Sequence, residues 1–287
     1  MVTPARRRPP LQPAALQARL DALVETFDVS TIAPDPLQLV LRYDDPLDQE
    51  VAGLVAAAFA YGRADFIVAN IGVVLARMQP SPHSYLLSFR RAEAKKRFAG
   101  FAHRFHKTPE LVDLLDCLAG AIATHGSLGA FFRAGYDEHD ADMGPSLARF
   151  TAALLAGRRS PALRYLLTSP DDGSACKRMN LFLRWMVRRT PPDLGLWTWA
   201  DPAKLVMPLD THIHRITTFL GLNTRKSADW KTARALTDRL AAFDPADPVR
   251  YDFALCRLGI LDLCSAKKRR ENCEVCLLND VCRVRVR

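Results

Sequence analysis

Almost every apolar stretch of this chain repeats at helical spacing, which leaves few folds open to it. Leu11 to Phe27 carries apolar residues three and four positions apart. Asp48 to Tyr61 is Ala-rich and apolar all round, as a buried helix is, and ends at Gly62. Asp65 to Met78 repeats the period and stops at Pro80. Glu110 to His125 follows Thr108-Pro109, with proline placed for the first helical turn. Ser127 to Ala134 and Ser146 to Leu155 are shorter helical stretches. Lys177 to Arg189 is long and amphipathic and ends at Pro191-Pro192, and Thr211 to Leu220 is stopped by Gly221. Ala228 to Phe243 and Arg250 to Leu263 complete the set. Alternating β-branched runs and hairpin dipeptides are nearly absent, and no repeat of fixed period is visible. The expected class is all-α.

Composition narrows the partners. The chain has 287 residues, 49% of them hydrophobic, which suffices for one large or two modest domains. Lys and Arg number 40 against 31 Asp and Glu, a net charge of +9 that favours a polyanion, nucleic acid or anionic lipid. No apolar run reaches the roughly 18 residues of a membrane span. Met1 to Pro13 is basic and Pro-rich without an apolar core, so residues 1–13 read as a disordered leader rather than a secretion signal. A cytoplasmic chain with seven cysteines, an odd count, makes disulfides the weaker explanation of its cysteines. Two softer zones stand out, an acidic loop over 137–145 and a Pro- and Trp-rich segment over 190–208.

Four of those cysteines, Cys264, Cys273, Cys276 and Cys282, are spaced C-x8-C-x2-C-x5-C. Thiolates bind soft and borderline metals. Structural zinc usually takes two C-x2-C knuckles, and this chain has one, with a single cysteine on each side. That arrangement suits a [4Fe–4S] cluster, with zinc as the alternative. Cys256 and Cys117 lie in helical apolar patterns and read as buried thiols. Around the cluster stand Lys267, Lys268, Arg269, Arg270, Arg283, Arg285 and Arg287, against Glu271, Glu274 and Asp280. A loop so charged is a candidate grip on a phosphate backbone, or else a solvated basic tail.

The stretch C-E-V-C-L-L-N-D-V-C resembles the cluster loop of the endonuclease III branch of the helix-hairpin-helix (HhH-GPD) DNA glycosylase superfamily. The last three ligands match that family's spacing, and the first gap is two residues longer. Pro208-Leu209-Asp210-Thr211-His212-Ile213-His214-Arg215 resembles the segment that holds the family's catalytic aspartate, which falls on Asp210. By its position alone Asp210 is a helix N-cap. Gly173-Ser174-Ala175-Cys176-Lys177 resembles a degenerate helix-hairpin-helix turn, with Gly173 at the first hairpin glycine and Lys177 at the lysine of the bifunctional members. The interval from Lys177 to Asp210 is similar to that of the archaeal 8-oxoguanine glycosylases, which lack the iron–sulfur loop. The whole chain resembles an uncharacterised bacterial branch that combines both traits.

The resemblance implies two helical lobes around a DNA groove, one over 44–170 and one formed by 14–43 with 171–287, the cluster loop spanning 264–282. It implies a monomeric base-excision glycosylase with β-elimination lyase activity on damaged bases, oxidised ones included, in double-stranded DNA at the nucleoid. Asp210 would stabilise an oxocarbenium-like sugar, and Lys177 would attack C1′ as a neutral amine, which requires a lowered pKa. Tyr61 and Arg63 stand where endonuclease III fills the gap left by an extruded base: Tyr61 is a candidate wedge, or else an aromatic packed at a helix end, and Arg63 a candidate for the orphaned base or a phosphate. Trp197 and Trp199 are candidates to stack on the base, or else seal the 190–208 segment to the core. Arg178, Arg184, Arg188, Arg189 and Arg215 are expected phosphate contacts. His212 and His214, two apart on one helix, do not share a face, which argues against a metal there. The rival readings are a non-catalytic iron–sulfur protein that binds nucleic acid and a zinc scaffold for another protein.

Overall fold

The computed structural model describes residues 12–158, 160–265 and 270–284. The expected leader and the basic residues Lys267, Lys268, Arg269, Arg285 and Arg287 fall largely or wholly outside that range; Pro13, within it, already opens a helix.

The fold is all-α, with one small hairpin. In chain order the helices are α1 (Pro13–Val24), α2 (Leu37–Val40), α3 (Pro46–Ala58), α4 (Ala64–Arg77), α5 (Pro82–Leu87) and α6 (Arg91–Arg97). The hairpin of β1 (Ala102–His103) and β2 (His106–Lys107) follows. Then come α7 (Thr108–His125), α8 (Leu128–Arg133), α9 (Gly144–Leu154), α10 (Pro161–Leu166), α11 (Lys177–Val187), α12 (Thr211–Leu220), α13 (Trp230–Ala241), α14 (Asp252–Ile260) and α15 (Arg270–Glu274). Among the described residues no helix is long and apolar enough to cross a membrane.

Two buried helices organise the centre. From Val51 to Phe59, α3 and its C-cap are wholly buried, so the Ala-rich stretch is packed on every side. The other helix, α11, crosses α3, and Gly53 sets how closely: a Cβ there would stand 3.0 Å from Met186 Cε. Each large apolar side chain fully buried at such a contact contributes about 1.5–3 kcal/mol. Around α3 lie α2, α4, α5 and α8, while α12 packs on α14, and α14 on α1. The buried apolar residues form one connected cluster from Leu16 to Val281.

Caps fix the two helices that matter most below. Asp210 Oδ1 accepts from the Ile213 amide at 2.8 Å and starts α12, and Gly221, at φ +75°, ends it. Cys176, the N-cap of α11, has the left-handed φ of +48° that favours glycine.

Candidate active site

Lys177 begins α11 directly after the strained Cys176. Its Nζ lies 3.4 Å from the Ala60 carbonyl, just past the C-terminus of α3. Asp210 reaches the same place from α12. Both line a cavity of about 460 Å³, within the usual range for small-molecule sites. Pro34, Asp35, Arg63, His212, Asp252 and Cys256 also line it. Residues 33 positions apart in sequence thus meet in one concave site because α11 and α12 both begin at it.

The inner wall is acidic. Asp35 and Asp252 are 6% and 2% exposed, and Asp252 pairs with Arg184, itself 2% exposed. Burial pushes the Asp252 carboxyl up to about 6; Asp210 adds to the rise, while Arg184 and Lys177 oppose it. Cys256 Sγ sits 4.0 Å from Asp210 Oδ2. Burial, then Asp210 and Asp252, push its thiol well up, so it is a neutral neighbour and not a nucleophile. Asp252 was missed in the sequence because no motif surrounds it. Cys256 was read as a buried thiol, and its place beside Asp210 had no sequence signal.

His212 packs against α14, so that a Cβ on Gly259 would overlap its ring. Arg215, one turn on, ties this helix to the cysteine loop. Its Nη2 donates to the Cys264 carbonyl at 2.7 Å and lies 3.2 Å from His212 Nδ1. The expected phosphate contact is therefore an internal brace.

The four loop cysteines line one largely apolar cavity, together with Ile216, Leu220, Leu258 and Leu278 among others. Burial pushes the Cys264 thiol up to about 11, and Cys276, Cys282 and Cys273 add to the rise while Arg215 opposes it. The thiols thus stand within electrostatic range of one another. Among the described residues, no group of three or more His, Cys, Asp or Glu is set to hold a metal ion. The loop is pinned by Cys264 N to Leu258 O at 2.7 Å and by Arg283 N to Phe219 O at 2.8 Å.

Several other expected site residues lie elsewhere. Arg178 is buried and donates to Ala58 O at 3.0 Å and to Tyr165 O, so it closes the C-terminus of α3 instead of meeting phosphate. Arg184 and Arg188 are buried in ion pairs with Asp193, Asp252 and Asp247. Arg189 is exposed but donates to Thr198 O at 2.8 Å. The expected wedge, Tyr61, has its hydroxyl 2.5 Å from His106 Nδ1, which holds it against the β1–β2 hairpin. Trp197 is 1% exposed and donates to Glu50 at 2.7 Å, and Trp199 stacks on it; neither lines the cavity, so they seal the core and form no base pocket. Gly173 caps a short 3-10 turn (Pro170–Asp172), and its carbonyl accepts from Trp230 N at 3.2 Å. Arg63 does stand at the cavity, paired with Asp65 at 2.7 Å. Arg270 pairs with Glu274 at 2.8 Å.

Fold and cavity together define an α-helical protein with a lysine–carboxylate pocket beside a four-cysteine loop. Residues 35–261 match the family described as a protein of unknown function, DUF2400, and the chain belongs to it. That match takes in Lys177, Asp210, Asp252 and Cys256 and stops before Cys264. No curated protein and no solved structure matches the chain. The expected membership of the helix-hairpin-helix glycosylase superfamily is overturned: the matching family is DUF2400, and no model of that superfamily matches. The short motifs around Asp210 and the cysteines carried the resemblance, and they do not extend to a whole-chain relationship.

Proposed function

We propose that the chain excises a damaged base from DNA and then cleaves the strand at the resulting sugar. The observation that carries this reading is the convergence of Lys177 and Asp210, from separate helices, on one cavity with buried acidic walls. It rests on that geometry and not on family membership.

The Lys177 Nζ lone pair attacks C1′ of the extruded nucleotide as the C1′–N bond breaks. The base leaves with the bonding electrons and takes up a proton. Positive charge develops on the sugar during this step, and the carboxylate of Asp210 stabilises it, backed by Asp252. The ring then opens at the C1′–O4′ bond, which leaves a protonated Schiff base on Lys177. Loss of a C2′ proton expels the 3′ phosphate, breaking the C3′–O bond, and water releases the lysine. Asp252, whose carboxyl lies up near 6, is the group best placed to hold a proton between these steps.

The four cysteines fit a [4Fe–4S] cluster as a donor set: soft ligands around an apolar cavity, with a C-x2-C pair and two outlying single ligands. When bound, such a cluster would order the loop on which the Arg215 brace ends.

Borohydride trapping on lesion-bearing and abasic duplexes tests the reading. The wild type should cross-link; Lys177→Gln should not, and Asp210→Asn should excise poorly. Binding without cross-linking across a lesion panel would overturn the enzymatic claim and select a non-catalytic nucleic-acid-binding protein.

A further inference from the structure

The lip of the cavity carries an aromatic surface that the proposed chemistry does not use. The two-residue turn between β1 and β2 is Arg104-Phe105. Arg104 takes a left-handed φ of +55°, and its side chain lies over Gly62, a residue that lines the cavity. A Cβ on Gly62 would stand 3.1 Å from Arg104 Cδ. Phe105, at the tip, is 60% exposed. Its ring stacks on Tyr61 at 5.6 Å and meets the edge of Tyr165, 40% exposed, at 4.9 Å.

This surface is rigid from behind. Tyr61 is held by His106, and the buried guanidinium of Arg178 lies 4.3 Å from the Tyr165 ring centre and 5.2 Å from that of Tyr61. Exposed Arg104 and Arg164 flank it. Aromatic faces held toward solvent, beside exposed cations and next to a cavity they meet at Gly62, have the chemistry of a base-stacking platform.

We propose that Phe105 and Tyr165 form a platform on which an unpaired nucleobase stacks at the mouth of the Lys177–Asp210 cavity. The occupant is single-stranded nucleic acid: the aromatic faces take the base and the arginines take the backbone. This deepens the reading above by naming how the strand is held, and it rests on that reading of the cavity as a nucleic-acid site.

The test uses the Lys177→Gln protein and undamaged single-stranded oligonucleotides, DNA and RNA, carrying 2-aminopurine, with the matching duplex as comparison. Stacking should quench the 2-aminopurine emission on binding. Phe105→Ala should weaken binding about five- to hundredfold, the range set by loss of one stacked base. Phe105→Trp should bind as the parent does, and Arg104→Gly should lower the salt dependence of binding. Phe105 is largely exposed, so the alanine variant should melt like the parent; if it does not, Phe105→Leu replaces it. Binding by the alanine or leucine variant within twofold of the parent, or a preference of the parent for duplex over single strand, overturns the platform. Unchanged quenching in Phe105→Ala, with borohydride trapping retained by the wild type, sinks the platform alone. Retained quenching with no trapping by the wild type sinks the lyase reading alone.

Discussion

Arg215 joins the candidate catalytic cavity to the cysteine loop: its Nη2 donates to the Cys264 carbonyl at 2.7 Å and lies 3.2 Å from His212 Nδ1. His212 and Asp210 both line the cavity, and Cys264 opens the loop. A single guanidinium thus couples the position of the first loop cysteine to the helix that presents Asp210.

Removing that brace should loosen the loop without touching a cysteine. Arg215→Ala is expected to retain its helical circular dichroism yet lose bound metal to a chelator several times faster than the wild type. Equal rates of metal loss would show that the brace does not support the loop.

The donor set predicts colour. Protein purified without oxygen should be brown, with broad absorbance near about 400 nm and about four irons per chain. Cys276→Ser should remove that absorbance. A colourless protein that binds zinc would replace the cluster with a zinc site.

Arg184 separates structural from phosphate-binding arginines. Arg184→Met leaves Asp252 buried without its partner and Asp193 with Arg188 alone, so it should cost about 3–5 kcal/mol in denaturant unfolding. A loss of DNA affinity with unchanged stability would restore Arg184 to the phosphate-binding role.

Asp252 makes stability depend on pH. Its folded carboxyl lies near 6, above the 3.8 of an unperturbed aspartate. The folded state therefore holds that proton more tightly, and the resulting stabilisation is complete below about 4 and lost as pH rises through about 6. The stability of wild type relative to Asp252→Asn should fall across that window in denaturant titrations. A difference that instead grows with pH would mean that Arg184 holds the carboxyl below its ordinary value.

Gly259 allows α12 and α14 to approach. Gly259→Ala would drive a methyl group into the His212 ring, at a cost of about 1–3 kcal/mol and with a displaced ring. A crystal structure of the variant with an unmoved His212, and unchanged melting, would show that the contact has slack.

Much of the helical framework was legible in the sequence, for identifiable reasons. The helix α12 runs Thr211–Leu220, as its Asp210 cap and Gly221 stop predict. The short α5, α6 and α10 were missed because one or two turns carry too little periodicity to register. The hairpin was missed because its turn is Arg104-Phe105, without the glycine or asparagine that usually signals one. Arg184 and Arg188 looked like surface cations because their partners lie farther along the chain, at Asp193, Asp247 and Asp252. Lys177 and Asp210 were found from short motifs. Asp252, which shares their cavity, was not, since only the packing of α14 brings it there.

The cavity draws its walls from Pro34 through Ile260, and α1 closes onto later segments through Arg19–Asp280 at 2.7 Å and Gln17 Nε2 to Phe243 O at 3.0 Å. During synthesis, Lys177 is therefore made before Asp210 and Asp252, which come 33 and 75 positions later. The candidate site is therefore complete only once α14 has emerged and packed on α12.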